Sequence, residues 1–291
     1  MRARTALAAL VAAILAVPAC AAPQVQAVLS ADTRPYREAW EGFLAELGDA
    51  AALDVVGVPD SDKSFESARV IVAFGSKAAL QEYPPGRKLI ITMAPSVSKR
   101  GRGRTDLVHV AMTPSPRALL ASLRALQPGL KSLAVVWKSE FYGDQYVPLL
   151  REAGKAIGVE VNSVEVGDDA DIPDLMRSLY GRADALWLPP DPLVISEANF
   201  ILFKDFSLSN RVPLYVPIPS LAERGATASV GVSFGAIGRS AARVAKQALA
   251  GEAPSLSFAE PAETVLNGAS ALKVGLKISP ETLKSLSRVI P

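Results

Sequence analysis

The sequence predicts an α/β protein of two Rossmann-like lobes, each on a parallel sheet, joined by a hinge that the chain crosses several times. Three observations predict it. Runs of Val, Ile and Leu without polar alternation, such as 70–74 and 88–93, mark parallel strands buried on both faces. Between such runs lie segments with apolar residues at helical spacing, so strands and helices alternate as in βαβ units. The alternation restarts half-way along the chain, and about ten strands would crowd a single sheet, so two sheets fit better.

Each element follows from its local pattern. Residues 25–29 read as a strand that ends at Ser30-Ala31-Asp32. Residues 36–47 place Ala39, Trp40, Phe43, Leu44 and Leu47 on one helix face, with Trp40 in the core. Strands follow at 53–58, 70–74, 88–93 and 107–112. The second half begins with a helix at 118–126, a strand at 133–137, and a helix at 144–157 closed by Gly158. A strand at 159–166, a helix at 172–180 and a strand at 185–188 come next. A helix at 197–209 and a strand at 213–217 complete this sheet. The stretch 226–233, a helix at 237–249 and a tail with Asn267 and 283–290 remain. A helix arriving after the second sheet is complete implies a return to the first lobe. The expected N-terminal lobe is therefore 20–113 plus 234–258, and the C-terminal lobe 114–233 plus 259–291.

The N-terminus carries an address. Arg2 and Arg4 precede an apolar run, Leu7 to Val17, that ends in small residues and the sole cysteine, Cys20. This is the layout of a secretory signal over residues 1–19. A membrane-spanning helix needs about 20 apolar residues, more than this run supplies. Val17-Pro18-Ala19-Cys20 resembles a bacterial lipobox, which would make Cys20 a lipidation site and anchor the chain to a membrane. Ala19-Cys20-Ala21 is an alternative cleavage exit that would leave the mature chain soluble. The expected location is the periplasm or the extracytoplasmic face of the membrane.

Composition narrows the function. Hydrophobic residues make up 49% and charged residues 21% of the chain, and the net charge is +2. That balance gives no reason to expect a nucleic-acid partner. The basic run Lys99-Arg100-Gly101-Arg102-Gly103-Arg104 reads as a solvated loop, with contact to lipid head groups or an acidic partner as the alternative. The single histidine, His109, lies inside a strand-like run and has no metal-ligand spacing with other residues, so it reads as structural and no metal is expected. There is no Gly-x-Ser-x-Gly elbow, and one histidine leaves little scope for a triad. No catalytic residue and no cofactor are expected.

Ligands of open parallel sheets sit beyond the carboxyl ends of the strands, which nominates the post-strand loops. Ser30 and Asp32 follow the first strand. Gly75-Ser76-Lys77 follows a buried strand and opens a helix, so Ser76 and neighbouring N–H groups either cradle an anion or form a plain cap. Met93 and Met112-Thr113 end two further strands, methionine being adaptable to irregular apolar ligands. In Glu140-Phe141-Tyr142-Gly143 the pair Phe141 and Tyr142 could stack on a flat ligand or pack under the next helix. Asp191 sits in a proline-rigid turn past the strand ending at Leu188.

Asp184-Ala185-Leu186-Trp187-Leu188-Pro189-Pro190-Asp191-Pro192 and the segment Phe206-Ser207-Leu208-Ser209-Asn210-Arg211-Val212-Pro213-Leu214-Tyr215-Val216-Pro217 resemble segments of extracytoplasmic solute-binding proteins of ABC transporters. So do Ala73-Phe74-Gly75-Ser76-Lys77-Ala78-Ala79, Ala236-Ile237-Gly238-Arg239-Ser240-Ala241-Ala242, Val265-Leu266-Asn267 and Gly275-Leu276-Lys277-Ile278. The resemblance implies a type I periplasmic-binding-protein fold in a family with aromatic amino acid binders. It further implies that Asp191 faces the cleft, where it suits an ammonium or hydroxyl group. Two departures bear on specificity. Asn267-Gly268-Ala269-Ser270 stands where a bulkier basic segment is expected, and the loop 30–36 is short. The expected partners are a small molecule (an amino acid or a mostly apolar metabolite) and a membrane permease. A sensory module acting with a membrane receptor is the alternative, and a hydrolase using Ser76 or Asp191 is the least favoured.

Overall fold

The computed structural model describes residues 24–48, 53–57, 65, 68–95, 97, 107–138, 142–192 and 194–291. The chain opens with β1 (Val25–Leu29), α1 (Arg34–Leu47), β2 (Leu53–Gly57), β3 (Val70–Phe74), α2 (Ser76–Leu80), β4 (Lys88–Thr92) and β5 (Leu107–Ala111). It then passes through α3 (Pro116–Leu126), β6 (Ser132–Trp137) and a π-helical turn (Tyr142–Tyr146) that continues into α4 (Val147–Ala156). Next come β7 (Glu160–Glu165), α5 (Ile172–Leu179), β8 (Ala185–Trp187), α6 (Glu197–Asn210), β9 (Leu214–Val216), α7 (Pro219–Glu223) and β10 (Ala228–Gly231). The chain continues with α8 (Phe234–Ala250) and β11 (Leu256–Phe258). It finishes with β12 (Glu263–Asn267), α9 (Gly268–Lys273), α10 (Pro280–Ser285) and β13 (Arg288–Ile290).

These strands form two sheets. The first has six strands in the order β11-β5-β4-β3-β1-β2, all parallel. The second has seven in the order β13-β12-β10-β9-β8-β6-β7. Within it β10 and β12 are antiparallel, and the other pairings are parallel. Because β11 belongs to the first sheet and β10 and β12 to the second, the chain passes between lobes three times.

Burial explains the apolar runs. In the first sheet Val25, Ala27, Val70, Val72, Val108 and Val110 meet Phe43 of α1 and Ile237 and Val244 of α8. The alternate residues Val28, Ile71, Ala73, Leu89 and Ile91 meet Ala78 and Ala79 of α2 on the other face. A strand covered on both faces has no position where a polar side chain is free of cost. The second sheet repeats the scheme. Leu133, Val135, Trp187 and Tyr215 face α3 and α4, while Ala134, Val136, Leu186 and Leu214 face α5 and α6.

The helix expected at 144–157 differs at its start, where the π-helical turn stands. Strands β11 and β13 have only three residues each, too few for a periodic pattern to register. Trp40 is half-buried rather than central, and stacks on Phe43 with ring centroids 5.7 Å apart. The signal segment 1–19, Cys20, the basic run 99–104 and Phe141 lie outside the described residues.

Candidate functional site

In the first lobe the carboxyl ends of β1, β3, β4 and β5 lie along one edge of the sheet and lead into Ser30, Gly75, Met93 and Met112. Ser30 is tied in twice. Its N–H donates to Phe74 O at 2.9 Å, and its Oγ accepts the Ala78 N–H at 2.8 Å. One donor of the expected anion cradle is therefore already used, and α2 has only five residues. Ser76 stands half-buried at the head of that helix. Gly75 has φ +93°, and a Cβ there would fall 2.4 Å from Tyr36 Oη and 2.6 Å from Ser30 Oγ. Tyr36 thus joins this corner: its hydroxyl bonds Ser30, and burial raises its pKa. Asp32 takes no part, being exposed and paired with Arg37 at 2.9 Å. Met93 closes β4 in a left-handed conformation with φ 54°, uncommon for a non-glycine residue, and packs into the sheet core.

The second lobe contributes an aromatic box. Tyr142 and Tyr146 lie on the π-helical turn, with ring centroids 6.1 Å apart and an edge-on geometry. Tyr146 also packs on Trp187 at 5.5 Å and on Phe258 of the first sheet at 6.0 Å. Gly143 permits this turn, because a Cβ there would fall 2.2 Å from Trp137 Cη2. The Tyr146 hydroxyl donates to Pro114 O at 2.9 Å, next to the buried Thr113.

Asp191 is wholly buried in this neighbourhood. Its N–H donates to Pro189 O at 2.7 Å, and its carbonyl accepts from Val194 and Ile195, so the turn is held rigidly. Its Oδ2 accepts the Lys138 N–H at 2.9 Å. The carboxylate lies near Tyr142, whose pKa is raised well above 10, first by burial and then by the negative charge of Asp191. Tyr142 also reaches across to the first lobe. It lines a narrow slot of about 10 Å³ with Thr92, Ala94, His109 and Met112. His109 is buried as expected and meets the second lobe as well, its Nδ1 lying 3.4 Å from Gln145 Nε2.

The structure therefore groups Tyr142 with Asp191, sets Thr113 beside Tyr146, and joins Ser30 to the helix that Ser76 begins. A larger crevice of about 270 Å³ opens between the lobes, lined by Arg34, Glu38, Ile218, Phe234 and Glu263 among others, and by none of the expected site residues. Sequence reasoning missed Tyr36, Tyr146 and Trp187. The first stands in the opening turn of α1, soon after β1, and the last ends β8, so the strand-end rule could have reached both. Among the described residues, no group of three or more His, Cys, Asp or Glu is placed to hold a metal ion.

Three buried tyrosines give this region an alkaline limit. Burial raises the pKa values of Tyr142, Tyr146 and Tyr215 above the ordinary value of 10. The folded state therefore keeps protons that the unfolded chain releases. The stability this provides is complete below pH 10 and falls as pH rises further, by up to about 1.4 kcal/mol per pH unit for each tyrosine. In a base titration, three of the six tyrosines should ionise only as circular dichroism reports unfolding. Reversible ionisation of all six in the folded chain would contradict this.

Residues 120–290 match the pattern of a family described as ABC transporter substrate binding protein. A tyrosine-binding protein of Clostridioides difficile strain R20291 is 24% identical over 151 residues, which cover 52% of this chain and 41% of that protein. The alignment thus spans less than half of that relative's length. Two solved structures share the fold. One is an ABC domain from Streptococcus pneumonia in complex with L-Trp: TM-score 0.59, 17% identity, covering 91% of this chain and 99% of that one. The other is the ligand-free, open form of a substrate-binding protein with adhesive properties from Clostridium difficile: TM-score 0.63, 18% identity, covering 92% and 99%. The two sheets and the three passages between them have the architecture of a type I periplasmic binding protein. With the pattern matched over more than half of its length, the chain belongs to the ABC transporter substrate binding protein family.

Proposed function

We propose that this chain is the extracytoplasmic solute-binding component of an ABC transporter, taking an amino acid with an aromatic or other apolar side chain. The lobes would be 20–113 plus 234–258 and 114–233 plus 259–291. They open about the three passages, admit the solute, close on it and present it to a membrane permease. One observation carries the reading: a buried carboxylate, Asp191, beside a buried phenol, Tyr142, in an aromatic box at the interlobe face. Burying a carboxylate is costly, and a substrate ammonium beside it would offset part of that cost. Tyr142 and Met93 would contact the apolar side chain, Thr113 would add a polar contact, and Ser30 with Ser76 would orient the substrate carboxylate. The slot beside Tyr142 holds about one water, so binding requires the lobes to part first. The tyrosine and tryptophan in the names of the relatives agree with this class. Residues 1–19 as an export signal and Cys20 as a lipidated anchor would hold the chain at the membrane. No reaction is performed.

The test is a thermal-shift screen of the mature chain against amino acids, nucleosides, sugars and sterols, with tryptamine and indole-3-propionate alongside. A ligand at one hundred times its Kd adds about 2.7 kcal/mol of stability. Tyrosine, tryptophan or phenylalanine should raise the Tm, and tryptamine and indole-3-propionate should each raise it less. A folded protein that responds to a sugar or nucleoside but to no amino acid would overturn the ligand class.

A further inference from the structure

We propose that the pole of the second lobe, at the amino ends of β6, β8 and β9, is a docking surface for anionic phospholipid headgroups. A wide crevice of about 920 Å³ opens there between the loops that enter these strands and the segment after α9. Lys131, Arg182, Arg211 and Lys277 line it, and all four are exposed. Among the described residues none of them pairs with a carboxylate, whereas Arg177 on nearby α5 pairs with Asp174 and Arg224 pairs with Glu197. The one acidic residue lining the crevice, Asp184, is exposed, and its Oδ2 accepts the N–H groups of Lys131 and Ser132 at 2.8 and 2.9 Å. The lining thus carries four positive charges against one negative.

A second observation points from anions in general to a lipid surface. The two most exposed large apolar side chains among the described residues lie at this same pole. Tyr180, in the lining itself, is 69% exposed, and Leu272 is 80% exposed. The turn carrying Leu272 is bonded to the lining segment, with Gly275 N–H donating to Leu272 O at 3.0 Å. Apolar and amphipathic tips set among cations match the interface of a bilayer, where rings and aliphatic groups enter the headgroup layer and cations stay at its surface. A soluble anion would leave Tyr180 and Leu272 in water. This pole lies at the opposite strand ends from Asp191, so a chain docked here keeps its interlobe face open to a solute.

The inference draws on the extracytoplasmic reading only for the chain's access to a membrane, and its test is independent of the solute. The chain starting at Ala21 keeps every residue of both sheets and their cores and lacks any lipid anchor. It should co-sediment with phosphatidylglycerol–phosphatidylcholine vesicles, but not with phosphatidylcholine alone, and high salt should release it. Combined R182E, R211E and K277E should weaken the partition at least about tenfold, each cation contributing to the attraction. Y180S with L272S should weaken it while leaving the Tm unchanged, since both side chains are exposed. Equal binding to neutral vesicles, no binding to anionic ones, or unchanged binding of the triple variant would overturn the proposal. Displacement by millimolar glycerol phosphate would overturn it too, in favour of a soluble anion. Vesicle binding in a chain that answers no solute would uphold the pole and count against the transport reading.

Discussion

Replacing Gly238 by alanine should destabilise the chain by about 3 kcal/mol or more. In an ordinary exposed helix interior the same change stabilises by roughly 1 kcal/mol, because alanine is the better helix former. The sign reverses here because α8 lies on α1 with almost no space between their backbones. A Cβ on Gly238 would fall 1.8 Å from Ala39 O and 2.8 Å from Phe43 N, and one on Gly42 would fall 2.1 Å from Gly235 O. Those partners are backbone atoms, so the helices must separate, and the core shared by Phe43, Ile237 and Val244 opens with them. Helix α8 is also the segment by which the chain returns to the first lobe, so loosening it loosens the hinge. Urea unfolding measures the effect. A midpoint at or above that of the parent chain would show that the helices can separate without loss.

Asp191→Asn should lower the affinity for a zwitterionic amino acid by about ten- to one-hundred-fold, the loss of one charge-assisted hydrogen bond. The amide keeps an oxygen for the Lys138 N–H, so the turn should hold and the Tm of the free protein should change little. Asp191→Ala should do both, weakening the fold by about 1–3 kcal/mol because it takes the partner from that part-buried N–H. Calorimetric titration with tryptophan and with indole-3-propionate separates the two roles. The asparagine variant should lose affinity for tryptophan and not for the analogue that lacks the ammonium group. Equal losses for both would remove Asp191 from ammonium recognition and leave it a structural residue of its turn.

Much of the framework was legible because burial on both faces writes itself directly into composition. The runs 70–74 and 88–93 could only be covered strands, and the amphipathic 36–47 could only be a helix with one face on them. The place of Asp191, past a buried strand, was legible in the same way, but its use was not, because an aspartate in a proline-rigid turn serves the turn as readily as a ligand. The surroundings of Asp32 were not, since two residues after Ser30 the chain has already turned outward and its carboxylate meets Arg37. The π-helical turn was hidden as well, because the space that Gly143 leaves above Trp137 exists only once β6 and α4 are packed.

The sequence by itself determined the fold class and the edges of the sheets where a ligand can sit, since these depend on local periodicity and on which residues avoid water. Only the tertiary structure decided which residues share a site. It brought Tyr142 to Asp191, Tyr36 to Ser30 and His109 to Gln145, and it set four exposed cations beside Tyr180 on the far pole. Such contacts join positions far apart along the chain, and their geometry comes from how helices and sheets pack, which no local pattern encodes.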